Sequence, residues 1–319
     1  MGGGTYTYVH TPVLLEQTLS LLSPEGENYK DGGFMIDSTL GEGGHSYAFL
    51  QRFPDLRIMG LDVDEQIQKR AHERLAVFGK RMSFYRGWFT DFYADYPSSL
   101  PRPDIILFDL GISIFHYECS GRGFSFRSDE ALDMRLNPAE GKTAADLVNN
   151  LRADELADLF YRFADERFSR RIAQAIEKTR RLSPFTSAKQ LADCIYAAVP
   201  APYRFGPIHP ATKSFQALRI AVNKETERLE NVLDKAFAVL NPGGKMGVIT
   251  FHSLEDKTVK NYFKQCAKNC ICPPEQAVCT CSGKARAALI TRKPVSADEK
   301  EVAENPPSRS AKLRVLRKL

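Results

Sequence analysis

MIDSTLGEGGHSYAFLQRFPDLRIMGLDVD, residues 35–64, carries an apolar run into a glycine-rich bend, passes through a helix-compatible stretch and ends in a second apolar run closed by acid. A strand, a bend, a helix and another strand in that order open a βαβ unit, so the stretch predicts two parallel strands joined by a right-handed crossover. The glycines let the backbone adopt conformations closed to other residues and let a ligand approach it closely.

What the bend holds is narrowed by what it lacks. Gly41, Gly43 and Gly44 lead to Ser46 and Tyr47, so the third glycine of a dinucleotide-binding G-x-G-x-x-G is missing, and no G-x-x-x-x-G-K-[ST] phosphate loop is present. Asp37 ends the first strand, and Asp62 ends the next, where a carboxylate accepts hydrogen bonds from ribose hydroxyls. The pattern suits a nucleoside ligand that needs no pyrophosphate site. S-adenosylmethionine is such a ligand, with a methionine sulfonium in place of phosphates. On spacing alone, another nucleotide-binding fold and a glycine turn without a ligand stay open.

Outward from the bend, the same rhythm continues. Residues 34–40, 57–63, 82–86 and 104–112 read as short buried strands with helix-compatible stretches between the first three pairs. Residues 120–211 break the rhythm. They lack a convincing buried strand but contain amphipathic runs such as ADELADLFYRFADERFSRRIAQAIEKTRR, and predict an inserted helical domain. Strand character returns at 246–251, after a Pro-Gly-Gly turn. Residues 287–292 and 311–316 are expected to form an antiparallel pair closing one edge, the latter half-exposed because Leu313 and Val315 alternate with Lys312 and Arg314. Residues 296–310 read as a polar surface connection.

Composition bounds the class. A chain of 319 residues with 43% hydrophobic content can bury a large core in one or two domains. It has no run of about 18 apolar residues and no basic segment leading into an apolar one at its start, so a cytoplasmic protein without membrane association is expected. The net charge of +5 is unevenly placed: residues 284–319 hold ten Lys and Arg against four Asp and Glu, and residues 167–181 hold six basic residues against Glu177 alone. Such clusters attract phosphate backbones, or else form a solvated helix face and a charged strand. Of seven cysteines, Cys270, Cys272, Cys279 and Cys281 make two C-x-C pairs, whereas zinc modules favour C-x-x-C, so reduced thiols and no metal are expected.

The ordered blocks HTPVLLEQ, DSTLGEGGHS, DLGIS, RGFSF, LDMRLNP, ERFSRRIAQAI, HPATKSFQALRIAVN, LNPGGKMGVITFHSLED and ENPPSRSAKLRV make the reading more specific. In them the chain resembles the RsmH/MraW family of bacterial 16S ribosomal RNA (cytosine-N4)-methyltransferases. The resemblance implies an α/β fold of the class I S-adenosylmethionine-dependent methyltransferase (Rossmann-like) type with an inserted helical domain. Residues 1–119 and 212–319 then form the methyltransferase domain, and 120–211 recognise the substrate. The implied activity is methyl transfer from S-adenosylmethionine to the N4 amine of a cytidine in the decoding region of 16S ribosomal RNA, within the small ribosomal subunit. Monomer and homodimer both stay open.

By motif position, the resemblance places Gly41, Gly43, Gly44 and His45 in the cofactor loop, Asp62 on the ribose, Phe89 by the adenine and Asp109 at the close of the site. Asp109 is expected to accept an N4 hydrogen bond, Asp133 and Arg135 to grip the cytidine, and His252 to face the base or a phosphate. Asp62 as a helix cap and Phe89 as core are the plainer alternatives. The chain departs from the family pattern in two places. His116 stands where a cofactor-contacting Gln is expected, and Glu130 and Ala131 replace Gly and Pro before Leu132. In TFHSLED, Ser253 and Asp256 predict a capping box.

Two function classes follow: an RNA methyltransferase, and a non-catalytic nucleoside-binding, RNA-associated regulatory protein. DNA cytosine-N4 methylation is disfavoured, because the sequence at Asp109 is DLGI and not [DNS]-P-P-[YFW].

Overall fold

The computed structural model describes residues 11–24, 32–270, 272, 276 and 283–319. Cys279 and Cys281 lie outside the described residues, and with them the question of the paired C-x-C motifs.

Helix α1 (Leu15–Leu21) precedes a regular alternation: β1 (Phe34–Asp37), α2 (Gly44–Arg52), β2 (Arg57–Asp62), α3 (Glu65–Leu75), β3 (Met82–Arg86), α4 (Phe89–Ala94) and β4 (Ile105–Asp109). β1 pairs in parallel with both β2 and β4, and β2 with β3. Successive side chains on these strands enter opposite cores. Phe34, Ile36, Ile106 and Phe108 join one, while Met35, Ile105 and Leu107 join the other. Burial on both faces is why FMID and IILF are continuous apolar runs, without the polar alternation of a one-sided sheet.

A second compact unit, Ser113–Arg228, is helical. It holds α5 (Ile114–Glu118), α6 (Ala144–Asn150), α7 (Ala153–Ala164), α8 (Ser169–Arg180), α9 (Ala188–Ala198), α10 (Ala201–Arg204) and α11 (Ala211–Asn223). The expected insertion falls inside it, and the unit reaches further on both sides, taking in α5 and α11. The long amphipathic run is two helices, not one: α7 ends at Asp165, whose φ of 49° lies in the left-handed region that Asp tolerates better than most residues. α7 packs on α8 and α11, and α8 on α9, over a core that includes Leu156, Phe160, Ile172, Ile176, Leu191 and Ile195.

The remaining elements return to the sheet: α12 (Glu225–Val239), β5 (Lys245–Thr250), α13 (Ser253–Cys266), β6 (Ala287–Leu289), β7 (Val295–Ser296), α14 (Glu299–Glu304) and β8 (Lys312–Lys318). The strand order is β3-β2-β1-β4-β5-β8-β6, with β7 also on β8. β5 is parallel to β4, and β8 is antiparallel to β5, β6 and β7. A parallel sheet with helical crossovers and one reversed strand beyond β5 is the expected class I methyltransferase fold.

Three local expectations are corrected. β8 is not half-exposed: it lies between β5 and β6, and Arg314 is buried because its guanidinium donates to both carboxylate oxygens of Asp256, at 2.8 and 3.1 Å. Residues 296–310 are not a bare connection but carry α14, whose Glu301 accepts the Leu14 amide at 2.6 Å. The cap of α13 is one residue earlier than predicted. His252 leaves β5 in extended conformation and is the N-cap, with Glu255 at the third helical position, while Ser253 is already helical and Asp256 is engaged by Arg314.

Candidate active site

Three carboxylates stand at the carboxyl ends of adjacent parallel strands: Asp62 on β2, Asp37 on β1 and Asp109 on β4. In open α/β sheets this end of the strands is where ligands bind. The loop after β1 passes between them. Gly41 and Gly43 have φ of 54° and 76°, in the left-handed region that disfavours a side chain, and Gly43 is the N-cap of α2. A Cβ on Gly44 would lie 2.5 Å from Pro12, so that position also requires glycine.

Asp62 does not cap α3. That role belongs to Asp64, which accepts the Gln66 amide at 2.9 Å. Asp62 instead accepts two backbone amides, Gly41 at 2.9 Å on Oδ2 and Asp64 at 2.8 Å on Oδ1. It therefore ties the glycine bend to the end of β2. Phe89, the first residue of α4, is partly buried and meets Phe108 edge-on, with ring centroids 5.7 Å apart.

Asp37 is buried and accepts the Ser46 hydroxyl at 2.7 Å. Burial pushes its carboxyl up to about 6, an effect that the Ser46 and Thr39 donors only partly offset. Asp109 is pushed up to about 7, chiefly by burial, with the neighbouring Asp37 charge adding to the shift. Its amide donates to Thr39 Oγ1 at 2.6 Å, and its Oδ1 is buried without a hydrogen-bond partner among the described residues. His45 is buried beside it: Nδ1 lies 3.5 Å from Asp109 Oδ2, and Nε2 lies 3.1 Å from the Val13 carbonyl. A carbonyl only accepts, so Nε2 carries a hydrogen and Nδ1 faces the carboxyl. The site is thus acidic, and burial makes the charge of Asp37 and Asp109 costly unless a partner offsets it.

His252 also ends a strand, β5, but its ring is turned onto its own helix. Nε2 lies 3.0 Å from Glu255 Oε1, and Glu255 Oε2 accepts the Phe251 amide at 2.9 Å.

The other predicted residues lie in the helical unit. His116 is buried on α5, with its ring 5.2 Å from that of Phe124. Asp133 and Arg135 form a two-pronged ion pair, each prong 2.8 Å, on either side of Met134, whose φ is 61°. Two residues that no motif argument singled out hold this loop. Asn223 donates to the Met134 carbonyl and accepts the Leu136 amide, both at 2.8 Å, and Arg122 Nη1 donates to the carbonyls of Arg135 and Leu136. Their only prior signal was membership of the RGFSF and HPATKSFQALRIAVN blocks. Glu130, one of the departures from the family pattern, has a structural role here: its Oε2 accepts the Gly123 amide at 3.0 Å.

The chain is 54% identical over 311 residues to the ribosomal RNA small subunit methyltransferase H of Treponema denticola, covering 98% of each chain. To the protein of the same name from Treponema pallidum it is 45% identical over 350 residues, covering 97% of this chain and 92% of that one. A solved putative rRNA-methylase from Clostridium thermocellum superposes with a TM-score of 0.44 at 10% identity, covering 98% of this chain and 100% of the other. The model of the MraW methylase family matches residues 7–319, almost the whole sequence, and the chain belongs to that family.

Proposed function

We propose that this protein transfers a methyl group from S-adenosylmethionine to the N4 amine of a cytidine in 16S ribosomal RNA of the small ribosomal subunit. The observation that carries the reading is the set of carboxylates Asp37, Asp62 and Asp109 around a glycine bend, in a chain whose relatives are named as small-subunit rRNA methyltransferases. Negative charge at this position repels a pyrophosphate and suits a sulfonium cation. The buried, unpartnered Asp109 Oδ1 is an acceptor awaiting a donor, and so fits a ligand or an amine.

Asp62, held by two amides, would take the ribose hydroxyls, and Phe89 would flank the adenine. The amino end of α2 has no capping side chain, so its first amides suit the methionine carboxylate. When bound, the cofactor supplies an electrophilic methyl group on a good leaving group. The chain must then position and desolvate. The N4 lone pair of cytosine is delocalised into the ring, so the amine has to be aimed at the methyl group and its proton accommodated. Asp109 would orient the amine through an N4–H bond, and a carboxyl pushed up to about 7 is poised to take a proton near neutral pH. Asp133 and Arg135 would hold the nucleotide, drawn out of its stack, and the helical unit would recognise its RNA context. No covalent cysteine is needed.

The site of action would be the cytoplasm. Among the described residues, no helix is long and apolar enough to cross a membrane. The deciding experiment supplies labelled S-adenosylmethionine and small subunits and maps the product by mass spectrometry. N4-methylcytidine is the expected product, and a ribose-methylated product or no transfer overturns the reading.

A further inference from the structure

The helical unit concentrates positive charge that its own packing leaves unused. α8 buries Ser169, Ile172, Ala173 and Ile176 and turns Arg170, Arg171 and Lys178 outward, with exposed Arg167 before it and exposed Arg181 after it. Arg167, Arg171, Lys178 and Arg181, together with the exposed Gln174, recur at alternating intervals of four and three, which sets them in one line along the helix surface. At about 1.5 Å of rise per residue the line runs roughly 20 Å.

Neighbouring carboxylates do not neutralise it. Glu177 lies 3.5 Å from Arg181, but among the described residues no carboxylate is within ion-pair distance of Arg167, Arg170, Arg171 or Lys178. Pairing is available to exposed helical lysines elsewhere, as Lys69 with Glu65 at 3.1 Å and Lys189 with Asp193 at 3.0 Å show, although among the described residues Lys235, Lys260 and Lys264 also have no ion pair. The stability of α8 gives no reason for the pattern either. Its first turn has no acidic residue, and the arginines there face the positive pole of the helix dipole. A merely solvated face would mix both signs and favour acid at that end.

The line also has a pre-organised end. The Arg167 guanidinium lies 4.8 Å from the ring centroid of Phe168 and 4.9 Å from that of Tyr203. Buried Glu166 fixes both partners, accepting the Phe168 amide and the Tyr203 hydroxyl, each at 2.9 Å. Two positions after Tyr203, Phe205 is 82% exposed. Guanidinium groups at turn-like intervals match phosphates along a strand, and an exposed ring is a platform for a base.

We propose that the outward line of α8 is a docking surface for the phosphate backbone of a single RNA strand, with Phe205 as a stacking platform at the Arg167 end. The inference rests on the rRNA methyltransferase reading and adds the surface through which the helical unit meets RNA.

The test measures binding of a fluorescein-labelled, mixed-sequence 20-nucleotide single-stranded RNA to the full chain by anisotropy, across a series of KCl concentrations. In Arg171→Gln/Lys178→Gln/Arg181→Gln, Kd should rise about tenfold or more at 100 mM salt, and the log–log salt slope should fall by about 2, near 0.7 for each lost phosphate contact. The melting curve and calorimetric affinity for S-adenosylmethionine should match wild type. A control removing the same charge from the methyltransferase unit, Lys69→Gln/Lys80→Gln/Arg86→Gln, should retain the wild-type slope. An unaltered slope in the α8 variant overturns the surface, as does an equal fall in the control. An equal loss of affinity for polyglutamate assigns the line to an acidic protein and overturns the RNA partner. Wild-type protein that methylates small subunits while the α8 variant keeps its salt slope removes the docking surface alone. Failure of wild type to bind RNA or to methylate removes the underlying reading as well.

Discussion

Arg135 is locked to Asp133, two residues away: Nε and Nη2 donate to the two carboxylate oxygens at 2.8 Å, and the Arg135 amide donates to Oδ1 at 3.0 Å. The pair spans Met134, a buried residue at positive φ whose carbonyl is held by Asn223. A strained backbone fixed by a distant side chain is the kind of arrangement that pre-orients a binding group. Arg135→Ala is therefore expected to raise KM for small subunits about tenfold while leaving the Kd for S-adenosylmethionine within about twofold. Arg135→Lys should not rescue, since an ammonium cannot reproduce the two-pronged contact. Equal losses for both ligands would take the pair off the substrate side.

Asp62 accepts the amides of Gly41 and Asp64, so its removal affects the bend as well as the ribose site proposed there. Asp62→Ala should weaken S-adenosylmethionine binding by about 1.5–3 kcal/mol, the range for a hydrogen bond to a charged group. Isothermal calorimetry on a variant with a wild-type circular dichroism spectrum reads this directly. Unchanged affinity would exclude Asp62 from the site.

Burial of Asp37 makes a prediction about pH. Its folded value, about 6, lies above the ordinary 3.8, so the native state holds the proton more tightly than the unfolded chain does. The contribution to stability is fully present below pH 4, declines as pH rises towards 6, and is constant above that; the loss is on the order of 3 kcal/mol. Asp37→Asn, which keeps an acceptor for Ser46, should raise the melting temperature of the ligand-free protein at pH 7.5 and flatten this part of the profile. A profile that still falls between pH 4 and 6 as steeply as wild type would show that Asp37 does not cause it.

For Asp109, the expected outcome of Asp109→Asn is a folded protein that binds S-adenosylmethionine but loses most methyl transfer. Its amide contact with Thr39 is a backbone one and survives the substitution. Single-turnover rates on small subunits measure the effect, and near wild-type transfer would rule out an essential carboxylate.

Two arginines of the last strand should behave differently. Arg314 is buried against Asp256, whereas Arg317 is exposed. Arg314→Ala leaves a carboxylate without its main partner and should cost about 3 kcal/mol in chemical denaturation. Arg317→Ala should stay within about 0.5 kcal/mol. The Arg314 contact is internal to the fold, so the reading of this cluster as a phosphate-binding patch loses Arg314. An unaltered denaturation midpoint in Arg314→Ala would contradict the buried-pair account.

How far these features could be read from sequence depended on whether they were local. Strands β1 and β4 were legible because a strand buried on both faces is a nearly unbroken apolar run. β8 misled because Arg314 looked like a solvent-facing polar residue, and alternation records polarity but not the presence of a partner such as Asp256. The break between α7 and α8 was invisible because apolar periodicity continues through Asp165, and only the backbone angle there ends the helix. In the candidate site, the glycine bend and Asp62 stood out by their place after and at strand ends, whereas Asp109 entered only through its motif position in the family resemblance. Asn223 did not, since its role is a contact with Met134 across 89 positions, which no spacing rule encodes.

The pairing of β4 with β5 brings Ile105 beside Lys245, with the whole helical unit between them in sequence. Such a sheet cannot assemble by zipping neighbour to neighbour. Its central seam is a non-local contact of the slow kind, and the entropy of closing the intervening chain grows with loop length, though only logarithmically. The helical segment has its own buried core of α7, α8, α9 and α11, built from contacts much closer in sequence. It can condense early and shorten the span that the sheet must bridge. Core substitutions at Phe160 or Ile176 would then slow the completion of a sheet that neither residue belongs to, making the insertion a determinant of folding rate.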